Sequence, residues 1–526
     1  MNLSSFKISL CVLLLSLMSC NSNPKKQEKT SQPKPNIIYI LADDLGYGEV
    51  GAYGQTKIET PNIDALATGG MLFTQHYSGA PVCAPARSVL LTGQHLGHTP
   101  VRGNDEWRER GEVWSYKAMI KDSVLEGQRP LPKETVTIAK LLKSSGYKTG
   151  IVGKWGLGAP HTESIPTKMG FDYFFGYNCQ RMAHTYNPVH LYENEKRYHL
   201  NNDTIAPNTG LVKGEDPYDI RSYDKYNLPV YSSTISFEKL MGFVENNKEN
   251  PFFLYWASPI PHVPLQAPKK WVDYYVKKFG DEEPYYNKPG KGIGYFPARY
   301  PRATYAAMVS YLDENIGKLV AYLKANNLYD NTLIVFTSDN GPTFTGGADS
   351  EWFNSGGPFD ENFGRGKGFL HEGGIRVPMI ASWPNKIKAG STTDHISAFY
   401  DVLPTLNDVA HVETNFKGDG ISFFNTLVGE NTTQKEHEFL YWEYPEYGGQ
   451  VAVRIGKWKI LWKDIKKGNK DIELYNLDED KEEHHNLAEA HPEIVAKLFE
   501  IIKKEHITPQ FKKFIMNPLE EIYKAE

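Results

Sequence analysis

The sequence predicts an α/β fold: a large mixed, mostly parallel sheet flanked by helices, with a small C-terminal α+β subdomain. Three observations carry this. Short β-rich runs alternate with segments of helical period along most of the chain. Polar residues stand directly after several of those runs, where open α/β sheets place their sites. Near residue 436 the texture changes to closely spaced short strands.

Residues 36–42 (NIIYILA) form a β-rich run ending at Asp43 and Asp44. Residues 135–145 place Ile138, Leu141 and Leu142 at helical spacing, and Gly146 closes the segment. The short strand 149–152 leads into Gly153 and Lys154. The run 251–257 (PFFLYWA) predicts a buried strand, followed by a Pro-rich loop that holds His262. Residues 306–326 form an amphipathic helix through Met308, Leu312, Ile316, Leu319 and Leu323. Residues 332–337 (TLIVFT) predict a strand ending near Asp339, Asn340 and Gly341. A further strand is predicted over 377–383 and a helix over 396–409. Segments 180–235 and 280–302 read as loops rich in Tyr, Asn, Pro and Gly, which in a compact enzyme shape binding sites. In the C-terminal part, 439–444, 450–455, 458–463 and 472–475 predict antiparallel strands, and 492–506 a helix. There is no internal repeat.

Composition narrows the class. The 526 residues are 40% hydrophobic and 23% charged, with 45 Gly and 33 Pro. That balance excludes a coiled coil, a collagen and a largely disordered chain. Lys plus Arg is 58 against 63 Asp plus Glu, a net charge of −5. Such a chain is not a bulk electrostatic binder of nucleic acid, and no nucleic-acid partner is expected.

The N-terminus reads as a targeting segment. Lys7 precedes an apolar run over 8–18, too short for a membrane span of about 20 residues and suited to a secretory signal. Leu17-Met18-Ser19-Cys20 resembles a bacterial lipoprotein box. The expected organisation is a signal peptide over 1–19, a tether over 20–35 lipidated at Cys20, a catalytic domain over 36–435 and a C-terminal subdomain over 436–526. The expected location is export with a lipid anchor in a bacterial membrane, on the periplasmic or cell-surface face of the outer membrane. Cleavage removes Cys11, so the globular part keeps Cys83 and Cys179 alone. The chain is no disulfide scaffold.

The sharpest motif is Cys83-Ala84-Pro85-Ala86-Arg87, continuing Ser88-Val89-Leu90-Leu91-Thr92-Gly93. Asp43-Asp44 and Asp339-Asn340 follow two predicted strands. Their hard oxygens suit calcium. Lys154 stands in Gly153-Lys154-Trp155, His262 in a Pro-flanked loop, and Lys367 between Gly366 and Gly368.

Together, and in this order, these motifs resemble the type I sulfatases of the alkaline phosphatase superfamily, over roughly residues 36–480. The likeness is strongest to bacterial lipoprotein polysaccharide sulfatases. The resemblance implies that a sulfatase-maturation enzyme oxidises Cys83 to formylglycine (3-oxoalanine), whose hydrate is the nucleophile. It implies one calcium ion held by Asp43, Asp44, residue 83, Asp339 and Asn340. It assigns Arg87, Lys154 and Lys367 to the sulfate and His262 to protonation of the leaving oxygen. The implied reaction is hydrolysis of sulfate esters on a sulfated oligo- or polysaccharide, an algal ulvan or galactan or a glycosaminoglycan.

One position departs from that pattern. Many members carry a His where this chain has Gly156, and that His helps to deprotonate the second hydroxyl of the hydrate. His161 and His184 are candidates to replace it, His184 the favoured one. His184 lies in Gln180-Arg181-Met182-Ala183-His184, which resembles a motif of carbohydrate-directed members. Arg102 offers either a contact to a substrate anion or a structural ion pair. Two other readings stand beside the sulfatase: a formylglycine-dependent phosphodiester or phosphonate hydrolase, and a non-catalytic sulfated-glycan-binding lipoprotein.

Overall fold

A ten-stranded mixed sheet runs through the molecule. The computed structural model describes residues 34–287 and 294–524. The leader, Cys20 and the tether up to residue 33 lie outside the described residues. No helix among the described residues is long and apolar enough to cross a membrane.

In chain order the strands are β1 (Asn36–Ala42), β2 (Met71–Phe73), β3 (His76–Tyr77), β4 (Lys148–Lys154), β5 (Tyr173–Tyr177), β6 (His190–Glu193), β7 (Lys196–His199) and β8 (Phe252–Ala257). They continue as β9 (Thr332–Ser338), β10 (Met379–Ser382), β11 (Ser391–Thr393), β12 (Ser397–Ala398), β13 (Leu440–Tyr444), β14 (Gln450–Ile455), β15 (Trp458–Lys463) and β16 (Ile472–Asn476). The large sheet has the order β11-β2-β10-β9-β1-β8-β4-β5-β6-β7. Its centre, β9-β1-β8-β4-β5, is parallel, and β10, β6 and β7 run antiparallel to their neighbours.

β1 is buried on both faces, as the continuous apolar run 37–42 requires. Its alternate residues enter two cores. Ile37, Tyr39 and Leu41 join the core that holds Val89, Leu90 and Leu91 of the Cys83–Thr92 helix. Ile38, Ile40 and Ala42 join the core of the Ser232–Asn247 and Pro301–Ala325 helices. The parallel register pairs Ala42 with Ser338 and Leu41 with Ala257. The C-terminal ends of β1, β8 and β9 therefore finish side by side.

Several boundaries differ from the sequence reading. The long helix begins at Pro301, which takes its first turn because Pro needs no hydrogen-bond acceptor there. The helix predicted over 396–409 is the short strand β12, a 3-10 turn and a helix over Val402–Ala410. Asp401 explains the break: its carboxylate accepts from the backbone N–H of Ala398 and of Ile421 at 2.7 and 2.8 Å. The segment read as a loop over 180–235 contains the β6–β7 hairpin and the start of the Ser232–Asn247 helix.

The C-terminal strands β13-β14-β15-β16 form an antiparallel sheet. Leu440, Trp442, Tyr444, Ala452 and Leu461 point from one face into the main core. Tyr441, Val451, Val453, Ile460 and Leu474 point from the other onto Leu498 and Ile502 of the Pro492–Glu505 helix. This sheet is thus a wall of the main core, and Lys34–Glu526 is one compact unit. Past that helix, His506 is buried with Nδ1 2.8 Å from Glu443 Oε2 and Nε2 3.2 Å from Glu520 Oε1. Burial disfavours the imidazolium, but Glu443 and Glu520 outweigh it and raise the pKa of His506. Charged His506 stabilises the fold fully below its unfolded pKa, and that contribution fades as pH rises through the raised folded value. His506→Gln is expected to lower Tm more at about pH 6 than at about pH 9, read by paired thermal melts of variant and wild type.

Candidate active site

Residues from four parallel strand ends and one helix start converge on a single buried cluster. Asp43 and Asp44 leave β1, Asp339 and Asn340 leave β9, Lys154 ends β4, and His262 follows β8. Asp339 N–H donates to Ala42 O at 3.0 Å and Asp43 N–H to Ile260 O at 3.0 Å, which carries the sheet's pairing one residue past the strands. Asp44 adopts φ +68°, a left-handed conformation that Asp tolerates better than bulky residues.

Cys83 is the first residue of its helix, and the whole helix is buried. Its Sγ lies 3.2 Å from Asp43 Oδ1 and 3.9 Å from Asp44 Oδ1. Burial and the Asp43 charge push the thiol pKa well above the usual range, so an unmodified Cys83 is no thiolate nucleophile. Arg87, one turn further on, shares the face of Cys83. It donates from Nε and Nη2 to Asp339 Oδ2 at 3.2 and 2.8 Å and from Nη2 to Asp43 Oδ2 at 3.2 Å. Its Nη1 donates to Lys154 O at 2.7 Å. Lys154 Nζ lies 2.6 Å from Asp43 Oδ2, and Lys367 Nζ 2.6 Å from Asp44 Oδ2.

Three cations therefore face three carboxylates, almost all out of water. Burial opposes ionisation of Asp43, yet the charges of Lys154, Arg87 and Lys367 hold its carboxyl well below the usual range. Asp339 is pushed up to about 7 by burial and by the neighbouring Asp43. Asp44 is raised by burial, with Asp43 adding to it against the pull of Lys367. Asn340 donates from Nδ2 to Asp44 Oδ1 at 2.9 Å, while its own Oδ1 is buried without a hydrogen-bond partner. Crowded carboxylates plus one orphaned amide oxygen make a hard-oxygen donor set that fits a divalent cation. Donor atoms of Asp43, Asp44, Cys83 and His262 all lie within 4.8 Å of one another.

His262 Nδ1 lies 2.5 Å from Val263 O and so carries a proton, which leaves Nε2 facing the cluster, 3.7 Å from Asp44 Oδ2. Burial, Lys367 and Lys154 lower its pKa well below the usual value. His184 stacks near it, ring centres 5.6 Å apart at 19°, and Tyr295 closes over both at 5.2 and 6.1 Å. His161 is bonded to Ser123 Oγ at 2.8 Å in an exposed contact and belongs to a different surface. Of the two histidines considered for the place of Gly156, the fold brings His184 to the cluster.

Arg102 is buried, with Nη1 2.7 Å from Glu443 Oε1. The fold builds the structural ion pair, because Glu443 also meets His506 and so ties three segments together. A substrate contact by Arg102 has no support in this geometry.

Several neighbours were not singled out from sequence. Asn104 Oδ1 accepts from Ala84 N and from Gln180 Nε2, both at 3.1 Å, and so touches the turn that carries Cys83. Gln450 of β14 accepts from Leu370 N at 3.0 Å and donates to Gly368 O at 2.8 Å, holding the segment of Lys367. Gln180 at least lies within the motif that carries His184. Tyr295 and Gln450 carry no local signal.

A second group, His95, His98 and Asp419, lies elsewhere. His95 Nδ1 accepts from Gly97 N at 3.1 Å, so Nε2 holds the proton and meets Glu505 Oε2 at 3.3 Å. That tautomer makes the group a hydrogen-bonded clasp onto the Pro492–Glu505 helix.

Comparison with known proteins agrees with this arrangement. The sequence model of the sulfatase family matches residues 35–412, and that of the C-terminal region of N-sulphoglucosamine sulphohydrolase matches 362–508. An N-acetylgalactosamine-6-O-sulfatase of Bacteroides thetaiotaomicron is 29% identical, covering 93% of this chain and 96% of its own. Human N-acetylgalactosamine-6-sulfatase is 31% identical, over 82% of this chain and 74% of its own. The crystal structure of Ps i-CgsB superposes with a TM-score of 0.69 at 28% identity, covering 94% of this chain and 98% of that one. The same protein in complex with k-i-k-neocarrahexaose gives 0.68 at 27%, covering 94% and 97%.

Gly156 has φ +73°, and a Cβ there would lie 3.1 Å from Gln128 Oε1 and 3.4 Å from Gln180 Nε2. Gly156→Ala is expected to cost about 1–2 kcal/mol through the left-handed backbone alone. A lowered urea midpoint at unchanged m-value checks it.

Proposed function

The chain belongs to the sulfatase family and is a sulfuric ester hydrolase acting on sugar sulfates, and we propose that it works through formylglycine at position 83 and a calcium ion. The observation that carries this reading is Cys83 at a buried helix start, 3.2 Å from Asp43, with Arg87, Lys154 and Lys367 around it. A neutral buried thiol beside such a cluster calls for chemical conversion before it can act, which a sulfatase-maturation enzyme supplies. Asp43, Asp44, Asp339 and Asn340 are the residues that would hold the cation, with residue 83 completing the set. When present, the formylglycine hydrate supplies a hydroxyl nucleophile for sulfur, and the cation supplies positive charge next to the sulfate oxygens.

The rest is the work of the chain's own side chains. Lys154, at the end of β4, and Lys367, from a loop between β9 and β10, reach the cluster and neutralise the sulfate. Arg87 is immobilised by Asp339, Asp43 and the Lys154 carbonyl, so it orients residue 83 without rearranging. A docked sulfate offsets the lysine charges that keep His262 neutral, which allows Nε2 to take up a proton and deliver it to the departing sugar oxygen. His184, stacked on His262, is proposed for the acid–base role that Gly156 cannot perform.

The proposed substrate is a sulfated glycosaminoglycan or a sulfated algal polysaccharide such as ulvan or a galactan. The named activity of the Bacteroides relative and the oligosaccharide bound by Ps i-CgsB support this range. We also propose export and lipid anchoring at Cys20, supported by the sequence around it. The test is sulfate release by ion chromatography from sulfated oligosaccharides, using protein whose residue 83 is confirmed as formylglycine by mass spectrometry. Sulfate from one glycan class is the expected result. Cleavage of phosphodiester controls to phosphomonoesters, with no sulfate released from sulfated sugars, would overturn it.

His262→Ala is expected to lower turnover of sugar sulfates by about 10²–10⁴-fold and of nitrophenyl sulfate far less, since a phenolate leaves without a proton. Equal losses on both would remove the general-acid assignment. Chelation is expected to lower Tm as well as activity, because Asp43, Asp44 and Asp339 lose a compensating charge. Added calcium should restore both.

A further inference from the structure

From His184, Arg181 leads to a basic, aromatic patch around Trp114 that the reaction above does not use. Arg181 begins the same 3-10 turn, Arg181–His184. Its Nη1 lies 3.4 Å from His184 Nδ1, and its Nη2 donates to Trp114 O at 3.2 Å. Its Nε is buried without a hydrogen-bond partner. The guanidinium carbon sits 5.4 Å from the centre of the Trp114 ring, and that of Arg108 sits 5.7 Å from it. Two cations thus share one indole that is itself 48% exposed.

Neither arginine forms an ion pair among the described residues, whereas Arg87, Arg102, Arg129, Arg197, Arg299 and Arg376 all do. Glu112 lines an open recess of about 540 Å³ together with Arg108 and Trp114, but pairs with neither arginine. Glu106 acts on Arg181 from a buried position, where burial pushes its carboxyl up to about 8. It is therefore mostly uncharged near neutral pH and leaves the arginine's charge unbalanced. Each guanidinium has the Trp114 ring as a neighbour, and an aromatic face offsets a positive charge only in part. A monoanionic sulfate ester or carboxylate within reach of these guanidiniums would balance their charge through charge-assisted hydrogen bonds.

We propose that Arg181 and Arg108 on Trp114 form a second anion site for an acidic substituent of the same glycan, distinct from the sulfate being hydrolysed. The proposal rests on the sulfatase reading of the main site. The substituent is a second sulfate ester or a uronate carboxylate, and Trp114 takes the face of the sugar that bears it. The site's position follows from the chain Arg181, His184, His262: it lies past the histidine assigned to the leaving oxygen, on the side of the sugar product.

The test compares kcat/KM on matched disaccharides that share the scissile sulfate. One pair differs by a second sulfate, the other by a uronate against its reduced, neutral sugar. Wild type is expected to prefer the doubly anionic member of at least one pair by about tenfold, through KM, and less so as salt rises. Arg108→Gln and the double change with Arg181→Gln should remove most of that preference. The pair that responds identifies the anion. Absence of any preference in wild type, or equal losses on both members of each pair, would overturn the site. Should wild type turn over neither glycans nor nitrophenyl sulfate, the sulfatase reading of the main site falls. Calorimetric titration of the disulfated disaccharide then decides the second site, and undiminished binding by the double variant overturns it.

Discussion

The structure depends on keeping three carboxylates together where water is absent. Asp43, Asp44 and Asp339 end adjacent parallel strands, and their mutual repulsion would pull those strand ends apart if nothing opposed it. Arg87 opposes it most directly, bridging Asp43 and Asp339 while its third nitrogen holds the Lys154 carbonyl. That one guanidinium joins β1, β9 and β4 to the helix that begins with Cys83. The residue expected to be converted is thus anchored one helical turn from the group that ties the sheet together. Geometry at position 83 and cohesion of the strand ends are the same problem.

The C-terminal sheet solves a second part of it. Lys367 approaches from a loop with no strand of its own, and loops of that kind hold a side chain poorly. Here Gln450 of β14 pins Gly368 and Leu370, just after Lys367, and Lys459 of β15 meets Glu372 at 2.9 Å in a buried ion pair. The antiparallel sheet is therefore part of the machinery that aims Lys367, and its inward face completes the main core. The Arg102, Glu443 and His506 contacts extend the same attachment to the chain's last helix.

Much of the fold was legible because local pattern and tertiary demand agreed. A run such as 37–42, without a charged residue and apolar on both alternating faces, reads as a strand buried on both faces, and β1 is one. Where tertiary contacts overrode the pattern, the reading missed. Asp401 breaks the 396–409 segment because its carboxylate accepts from the nearby Ala398 N–H and from the more remote Ile421 N–H. The β6–β7 hairpin lies in a stretch whose Tyr and Asn content reads as loop, and its pairing is stabilised by buried partners far away, such as Glu126 with His190.

The sequence alone determined which residue types the site needs: an Asp-Asp pair and an Asp-Asn pair, a Cys-to-Arg spacing of one helical turn, two lysines and a Pro-flanked histidine. Those are local facts, written in motifs of a few residues each. Only the tertiary structure decided what each one meets. It placed Arg102 in a buried ion pair, set His184 beside His262 while His161 stayed outside, and left Arg181 and Arg108 unpaired on Trp114. Such outcomes depend on side chains that are near in space and remote in sequence, and burial sets their energies, so no spacing along the chain encodes them.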